Sequence, residues 1–259
     1  MCTLTIAWRT FDDAPVAVAA NRDEAIGRAS SPPDVYREDP LVIAPRDERA
    51  GGTWIGYNER GVFAGVTNLW TDADLAGERS RGLLVVDALE TSSAAEAAER
   101  VERTTEEFEY DGFFLVVADA ADAICFRWDG ALERTEFEPG VHVVVNVAVD
   151  DDARIPSHRA DVARRQAENA RAVRRALEPE ADGSAHEWLD RVGDVLGDHD
   201  YGVCVHGDGF GTRSSSLIAL GEASPGDDER GRDPAVRHEY ADGPPCVTPY
   251  ERVDVESQL

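Results

Sequence analysis

The sequence predicts a single α+β domain over residues 1–259, with helices covering packed sheets. Three observations lead there. Short β-type runs occupy the front, the middle and the last third of the chain, stretches of helical spacing fall in two blocks between them, and no linker is poor enough in hydrophobic residues to divide it. With 42% hydrophobic residues, a chain of this length buries a substantial core.

The front third reads as antiparallel sheet. TLTIAW (3–8), PVAVAA (15–20) and LVIA (41–44) are apolar runs of strand length, and GTWIGY (52–57) and GVFAGVTN (61–68) are joined across Asn58-Glu59-Arg60-Gly61 in the manner of a hairpin. Residues 81–109 carry helical spacing in two pieces, the second opened by Ser93 with Glu96 three residues on, the pattern of a capping box. Strands return at 113–118, 123–128 and 141–147. Asp150-Asp151-Asp152 after them reads as a solvated turn rather than a metal site. Two more helices are expected over 157–177, starting at Ser157, and over 185–196, where Ser184 and Glu187 repeat the capping-box pattern. YGVCVH (201–206), TRSSSLIAL (212–220) and segments around 236–241 and 247–254 are again strand-like, and SPGDDERGRDP (224–234) is an expected hairpin loop.

The chain carries 52 acidic against 26 basic residues, every basic one an arginine, for a formal net charge of −26. Such an excess repels phosphate backbones and anionic membrane surfaces, so nucleic acid and membrane are not expected partners. Dense carboxylates without lysine point to a protein kept soluble in strong salt, a halophilic adaptation. No apolar run reaches the length of a membrane span and the amino terminus lacks a basic leader, which together predict a cytoplasmic location.

Four cysteines, Cys2, Cys125, Cys204 and Cys246, form no CxxC pair. Cys125 and Cys204 fall in apolar runs, as small buried hydrophobes do. Cys204 and His206 share one face of a strand-like run, yet no second pair is spaced to complete a metal site, so neither metal nor cofactor is expected; His206 stays open as an axial haem ligand. HGDGFG (206–211) precedes a strand-like run rather than the helix a phosphate loop requires, and Ser214-Ser215-Ser216 lacks the setting of a serine nucleophile. Cys2 differs by its address. Removal of Met1 would leave a nucleophilic thiol and a basic α-amine on one residue, titrating near 8.5 and 7.7–8.0 respectively, so that each assists deprotonation of the other. Asn21-Arg22-Asp23-Glu24 follows the apolar run at 15–20, a strand end where packing explains such a polar cluster poorly; Arg22 would favour the thiolate and Asp23 would hold the amine.

MCTL at the start, AANRDE (19–24), PRDERAGGTWIGYNERGVFAGVTN (45–68), SRG (80–82) and GTRSSS (211–216) together resemble the NRDE family, the family of the transport and Golgi organisation 2 proteins, over most of the chain. The resemblance implies a four-layer αββα sandwich of the N-terminal-nucleophile hydrolase type, with Cys2 as nucleophile. NERGVFAGVTN also resembles the asparagine-bearing hairpin of the choloylglycine and penicillin V acylase group. That similarity implies Asn68 as an oxyanion amide, Asn146 as a second amide at the active centre, and Arg213 as a partner tuning the thiol. In the acylase group the active-site arginine and aspartate are separated by two residues, whereas Arg22 and Asp23 are adjacent. Trp54, beside Gly51-Gly52, is a candidate wall of an acyl pocket, with Asn21 and Glu24 as further substrate contacts. The activity implied is cleavage of a small amide or acyl thioester through an acyl-enzyme. Its rival is a non-catalytic carrier or trafficking protein for a hydrophobic metabolite such as haem or an acyl-coenzyme A.

Overall fold

In the computed structural model, residues 2–223 and 234–254 are described. The elements, in chain order, are β1 (Thr3–Trp8), β2 (Val16–Ala25), β3 (Ser30–Glu38), β4 (Leu41–Asp47), β5 (Ile55–Asn58), β6 (Phe63–Asn68), α1 (Arg81–Leu89), α2 (Ala94–Glu107), β7 (Phe113–Ala118), β8 (Ala123–Trp128), β9 (Leu132–Glu136), β10 (Gly140–Val145), β11 (Ala148–Val149), β12 (Asp152–Ala153), α3 (Ala160–Ala176), α4 (Ala185–Gly197), β13 (Phe210–Ala223), β14 (Pro234–Ala241) and β15 (Glu251–Arg252). They build two antiparallel sheets, ordered β12-β11-β10-β1-β2-β13-β14-β15 and β3-β4-β5-β6-β7-β8-β9.

Three apolar layers hold four layers of structure together. Leu4, Ile6, Val16 and Val18 of the first sheet meet Ile43, Ile55, Phe63 and Phe114 of the second. Ala7, Ala17 and Ala19, on the other face of the first sheet, pack under α3 and α4, while Ala64, Leu115 and Val117 of the second sheet pack under α1 and α2. The result is the expected αββα sandwich. β1 and β2 are buried on both faces, which explains why they read as unbroken apolar runs rather than alternating ones. Alanines on the helix side let α4 approach β2 closely.

Local chemistry sets most boundaries where the sequence puts them. Asn58 turns the β5–β6 hairpin: its Oδ1 accepts from Arg60 N and Val62 N, both at 3.0 Å, and Gly61 supplies the positive φ of 79°. At α4 the capping box is complete, with Ser184 Oγ accepting from Glu187 N and Glu187 Oε2 from Ser184 N. At α2 it is half a box, because Ser93 Oγ caps Glu96 N but the Glu96 carboxylate reaches Ser92 N and Oγ instead of Ser93 N.

Other boundaries differ. Ser157 opens a single 3-10 turn, Ser157–Arg159, and the α-helix begins at Ala160. YGVCVH is not a strand: Tyr201 closes another 3-10 turn, Gly202 takes a left-handed φ of 63°, and β13 rather than this segment pairs with β2. In 247–254 only Glu251–Arg252 pairs. Asp150 does turn a hairpin, but it is only partly exposed, with its carboxylate bonded to Val143 N at 2.9 Å and the His142 ring at 2.7 Å. Within the expected 224–234 hairpin loop, residues 224–233 lie outside the described residues. Among the described residues no helix is long and apolar enough to cross a membrane.

Two buried side chains give measurable handles on stability. Trp188 of α4 is fully buried, with its indole N–H donating to Leu177 O at 2.9 Å and its ring near Phe11. Trp188→Ala should cost about 3–5 kcal/mol of unfolding free energy, read from denaturant curves. His238 of β14 lies in the layer between the sheets, beside the Tyr57 ring, and burial lowers its pKa to about 3. The unfolded chain therefore binds a proton that the folded chain refuses, so stability falls as pH drops from about 6.5 towards 3. His238→Phe should flatten that part of the stability profile.

Candidate functional site

The site forms at one end of the first sheet. β1 pairs with β2 on one side and β10 on the other, with Thr3 opposite both Asn21 and Val145, so Cys2 falls beside Arg22 and Asn146. Its backbone N–H donates to Asn146 Oδ1 at 2.9 Å, and its Sγ approaches Asp23 O at 3.6 Å. Asn146 Oδ1 also accepts from Gln166 Nε2 of α3 at 2.9 Å, and Asn146 Nδ2 donates to Asn68 O at 2.6 Å. The Cys2 backbone N–H requires an acceptor and the Asn68 carbonyl a donor, so the two ends of the Asn146 carboxamide are assigned by backbone groups.

Alternation along β2 divides AANRDE between two faces. Asn21 and Asp23 face the helices. Asn21 Nδ2 donates to Leu196 O and Val203 O at 3.0 Å each, and Asp23 Oδ1 accepts from Thr212 Oγ1 at 2.6 Å. Arg22 points between the sheets, its guanidinium stacked 4.0 Å over the Trp54 ring, with Glu24 Oε2 at 3.9 Å and Asp47 Oδ2 at 4.0 Å. Arg28 and Asp47 form a close ion pair beside this stack, and the Asp47 carboxylate also takes Arg49 N and Ala50 N in its turn.

The glycines of GGT and SRG are explained by a backbone crossing. A Cβ on Gly52 would lie 2.3 Å from Gly82 C, and Thr53 N donates to Gly82 O at 3.1 Å. Ser80 caps α1, and Arg81 reaches back to Gly112 O at 2.8 Å.

Cys2, Asp23, Asn68 and Asn146 line one cavity of about 520 Å³, together with Trp70, Arg159, Val162, Val205 and Phe210. Four predicted residues thus meet, and five have other engagements. Asn21 ties strand to helix, Glu24 faces Arg22 and Arg28, and Trp54 supports Arg22 rather than lining the cavity. Arg22 is near enough for its charge to favour the Cys2 thiolate. Arg213 lies at a bulge of β13, between the Thr212 and Ser214 registers, and its guanidinium donates to Ile26 O. Gln166, Trp70, Arg159 and Thr212 also belong to the site or its support and were not expected from the sequence. Gln166 alone carried a signal, as the one polar residue in the buried stripe Ala163, Gln166, Ala167, Ala170 and Val173 of α3.

Burial pushes the Cys2 thiol above the ordinary thiol range, Asp23 adds to that, and Arg22 partly offsets it. Burial likewise raises the Asp23 carboxyl.

The family model for Transport and Golgi organisation 2 matches residues 1–224. The chain belongs to that family. It is 29% identical to the mouse Transport and Golgi organization 2 homolog over 162 residues, which are 57% of this chain and 58% of the mouse protein, so the alignment spans little more than half the length of that curated relative. Among solved structures it is similar to a C2A mutant of conjugated bile acid hydrolase from Clostridium perfringens, with a TM-score of 0.56 at 11% identity over 100% of this chain and 93% of the other. Penicillin V acylase from Agrobacterium tumefaciens gives a TM-score of 0.51 at 15% identity, covering 95% and 93%. At these identities the likeness shows the fold, that of N-terminal-nucleophile hydrolases.

In chain that keeps Met1, alkylation of Cys2 should therefore have its pH midpoint above the value of about 8.5 for free cysteine. Asp23→Asn, which removes the adjacent negative charge, should move that midpoint down; pH-dependent iodoacetamide labelling with peptide mapping reads both.

Proposed function

We propose that this protein is an N-terminal cysteine amidohydrolase that cleaves a small acyl amide or acyl thioester through an acyl-enzyme. One observation carries the reading: the nitrogen of Cys2 is hydrogen-bonded to Asn146 Oδ1 in the wall of the cavity that Cys2, Asp23 and Asn68 share. Removal of Met1 turns this amide nitrogen into an α-amine with its position already fixed. The named activities of the two structural neighbours, an acylase and a hydrolase, agree with this class of chemistry.

The free amine takes the Sγ proton, directly or through one water, as sulfur bonds to the substrate carbonyl carbon. The side-chain amide of Asn68 and the second N–H of Asn146 Nδ2 stabilise the resulting oxyanion. Collapse restores the carbonyl and breaks the C–N or C–S bond, while the Cys2 ammonium returns its proton to the leaving amine or thiolate. Water, deprotonated by the same amine, then releases the acid from the thioester. Trp70, Val162, Val205 and Phe210 offer the acyl group an apolar wall, and Arg159, 4.8 Å over the Trp70 ring, places a cation at its rim.

A second reading follows from the upward displacement of the thiol by burial: with Met1 retained, the nucleophile stays protonated and lacks its base, and the cavity serves as a carrier for an acyl-coenzyme A or haem. Intact mass and brief labelling with substoichiometric iodoacetamide separate the two. The hydrolase reading expects a mass lacking Met1 and labelling of Cys2 ahead of Cys125, Cys204 and Cys246; a retained Met1 overturns it. In the active enzyme Cys2→Ala should abolish turnover, and Asn68→Ala should lower kcat about 10²–10³-fold. Activity should rise with pH as the α-amine loses its proton, and fall away on the acid side.

A further inference from the structure

Beside the segment that walls the cavity, the fold brings together four side chains from three separate stretches of the sequence. His199 belongs to the 3-10 turn after α4, Cys204 and His206 to the irregular segment before β13, and Cys246 to the turn that Pro244 opens through the N–H groups of Val247 and Thr248. One ligand atom from each lies within 4.8 Å of the corresponding atom of the other three. His206 Nε2 is 3.6 Å from Cys204 Sγ and 3.1 Å from Cys246 Sγ, and the His199 ring meets the His206 ring edge to face, with centroids 5.2 Å apart.

Hydrogen bonding holds part of this arrangement, since Cys204 also meets the side chain and backbone of Cys246 and the Thr212 hydroxyl. An imidazole nitrogen has either one lone pair or one N–H, so His206 Nε2 can satisfy one of the two sulfurs and not both. A tetrahedral metal satisfies all four groups: with bonds of 2.0–2.3 Å, ligand atoms stand about 3.3–3.8 Å apart, near the 3.1 and 3.6 Å from His206 Nε2 to the two sulfurs, and the other pairs lie within 4.8 Å. Two thiolates and two imidazoles are a donor set that selects zinc over magnesium or calcium. We propose that His199, Cys204, His206 and Cys246 form a structural Cys2His2 zinc site that clamps the turn at Cys246 onto the segment walling the Cys2 cavity. Binding exchanges the two thiol protons for the metal, and four protein ligands close its coordination shell. His199 and His206 are exposed, which gives the ion a route in from solvent.

The position gives the metal a task. Val205, between two of the ligands, lines the cavity; its N–H donates to Thr212 Oγ1 at 2.9 Å, and that hydroxyl holds Asp23. Val203 O receives Asn21 Nδ2. Cys246 backbone packs against Gly197 at the end of α4. The site is thus a brace for the loop beside Cys2, and it stands on its own geometry whether or not Cys2 is a nucleophile.

The test uses the full chain free of any affinity tag. Elemental analysis of protein purified with zinc in the medium should give about one zinc per chain, and cobalt(II) added after chelation should produce the strong visible bands and near-ultraviolet thiolate charge-transfer band of a tetrahedral thiolate site. Cys246→Ser and His206→Ala should each weaken cobalt binding more than about 100-fold. If a variant does not fold, the cobalt spectrum of the unsubstituted protein decides alone. Folded protein that holds no zinc and leaves cobalt in its octahedral aqueous spectrum overturns the proposal. So does a mass two hydrogen atoms lighter with a Cys204–Cys246 disulfide mapped in freshly purified protein.

Discussion

Burial of β2 on both faces is the constraint on which the rest of the molecule depends. A central strand pressed between a helical layer and a second sheet admits no arbitrary polar residue, so every polar residue at its end must have an engagement on its own side. Parity then assigns roles. Asn21 ties to the end of α4 and to Val203, and Asp23 to Thr212 of β13, whereas Arg22 and Glu24 join the charge cluster of Arg28 and Asp47 on the other side, with Trp54 as a stacking platform. Four consecutive residues thereby connect two of the three apolar layers.

The cavity owes its form to three chain segments converging on one carboxamide. Asn146, just beyond β10, accepts from Cys2 and Gln166 and donates to Asn68, so the starts and ends of β1, β6 and β10 and the flank of α3 share a single small group. A network of this kind rigidifies because each member is held by another. Its burial also raises the thiol pKa in a chain that carries Met1, because desolvation at this network disfavours a thiolate.

The interior strands and helices α1 to α4 were legible in the sequence because burial on two faces, or caps at the ends, leaves a strong local pattern. The edges were not. β3 contains Pro32-Pro33, which removes two N–H donors and is tolerated at a sheet edge, with one register shift across the pair, between Ser31 and Asp34, and a second between Val35 and Arg37; β9, LERTE, is almost wholly exposed. The 201–206 run is apolar because Val203 and Cys204 are buried, while its pairing is limited to the single bridge of His206 with Gly211, and sequence pattern does not separate these causes. At the site, Cys2, Asp23, Asn68 and Asn146 were legible through motifs. Trp54, the expected cavity wall, stacks on Arg22 instead, and Trp70 lines the cavity; the stack depends on the second sheet, a long-range contact that local sequence does not encode. Likewise His199 and Cys246 reach Cys204 and His206 only through the docking of the turn after β14 on the end of α4, which no local spacing encodes.

The doubly paired β1 also acts as a ruler. All six of its residues are buried, and its register is fixed by two neighbours at once, so the strand cannot slide to absorb a change in length. One residue inserted between Cys2 and Thr3 would carry the thiol about 3.3 Å along the strand axis and turn it to the opposite face. The address of the cysteine is therefore a measured length of backbone, as much a part of the site as the sulfur itself.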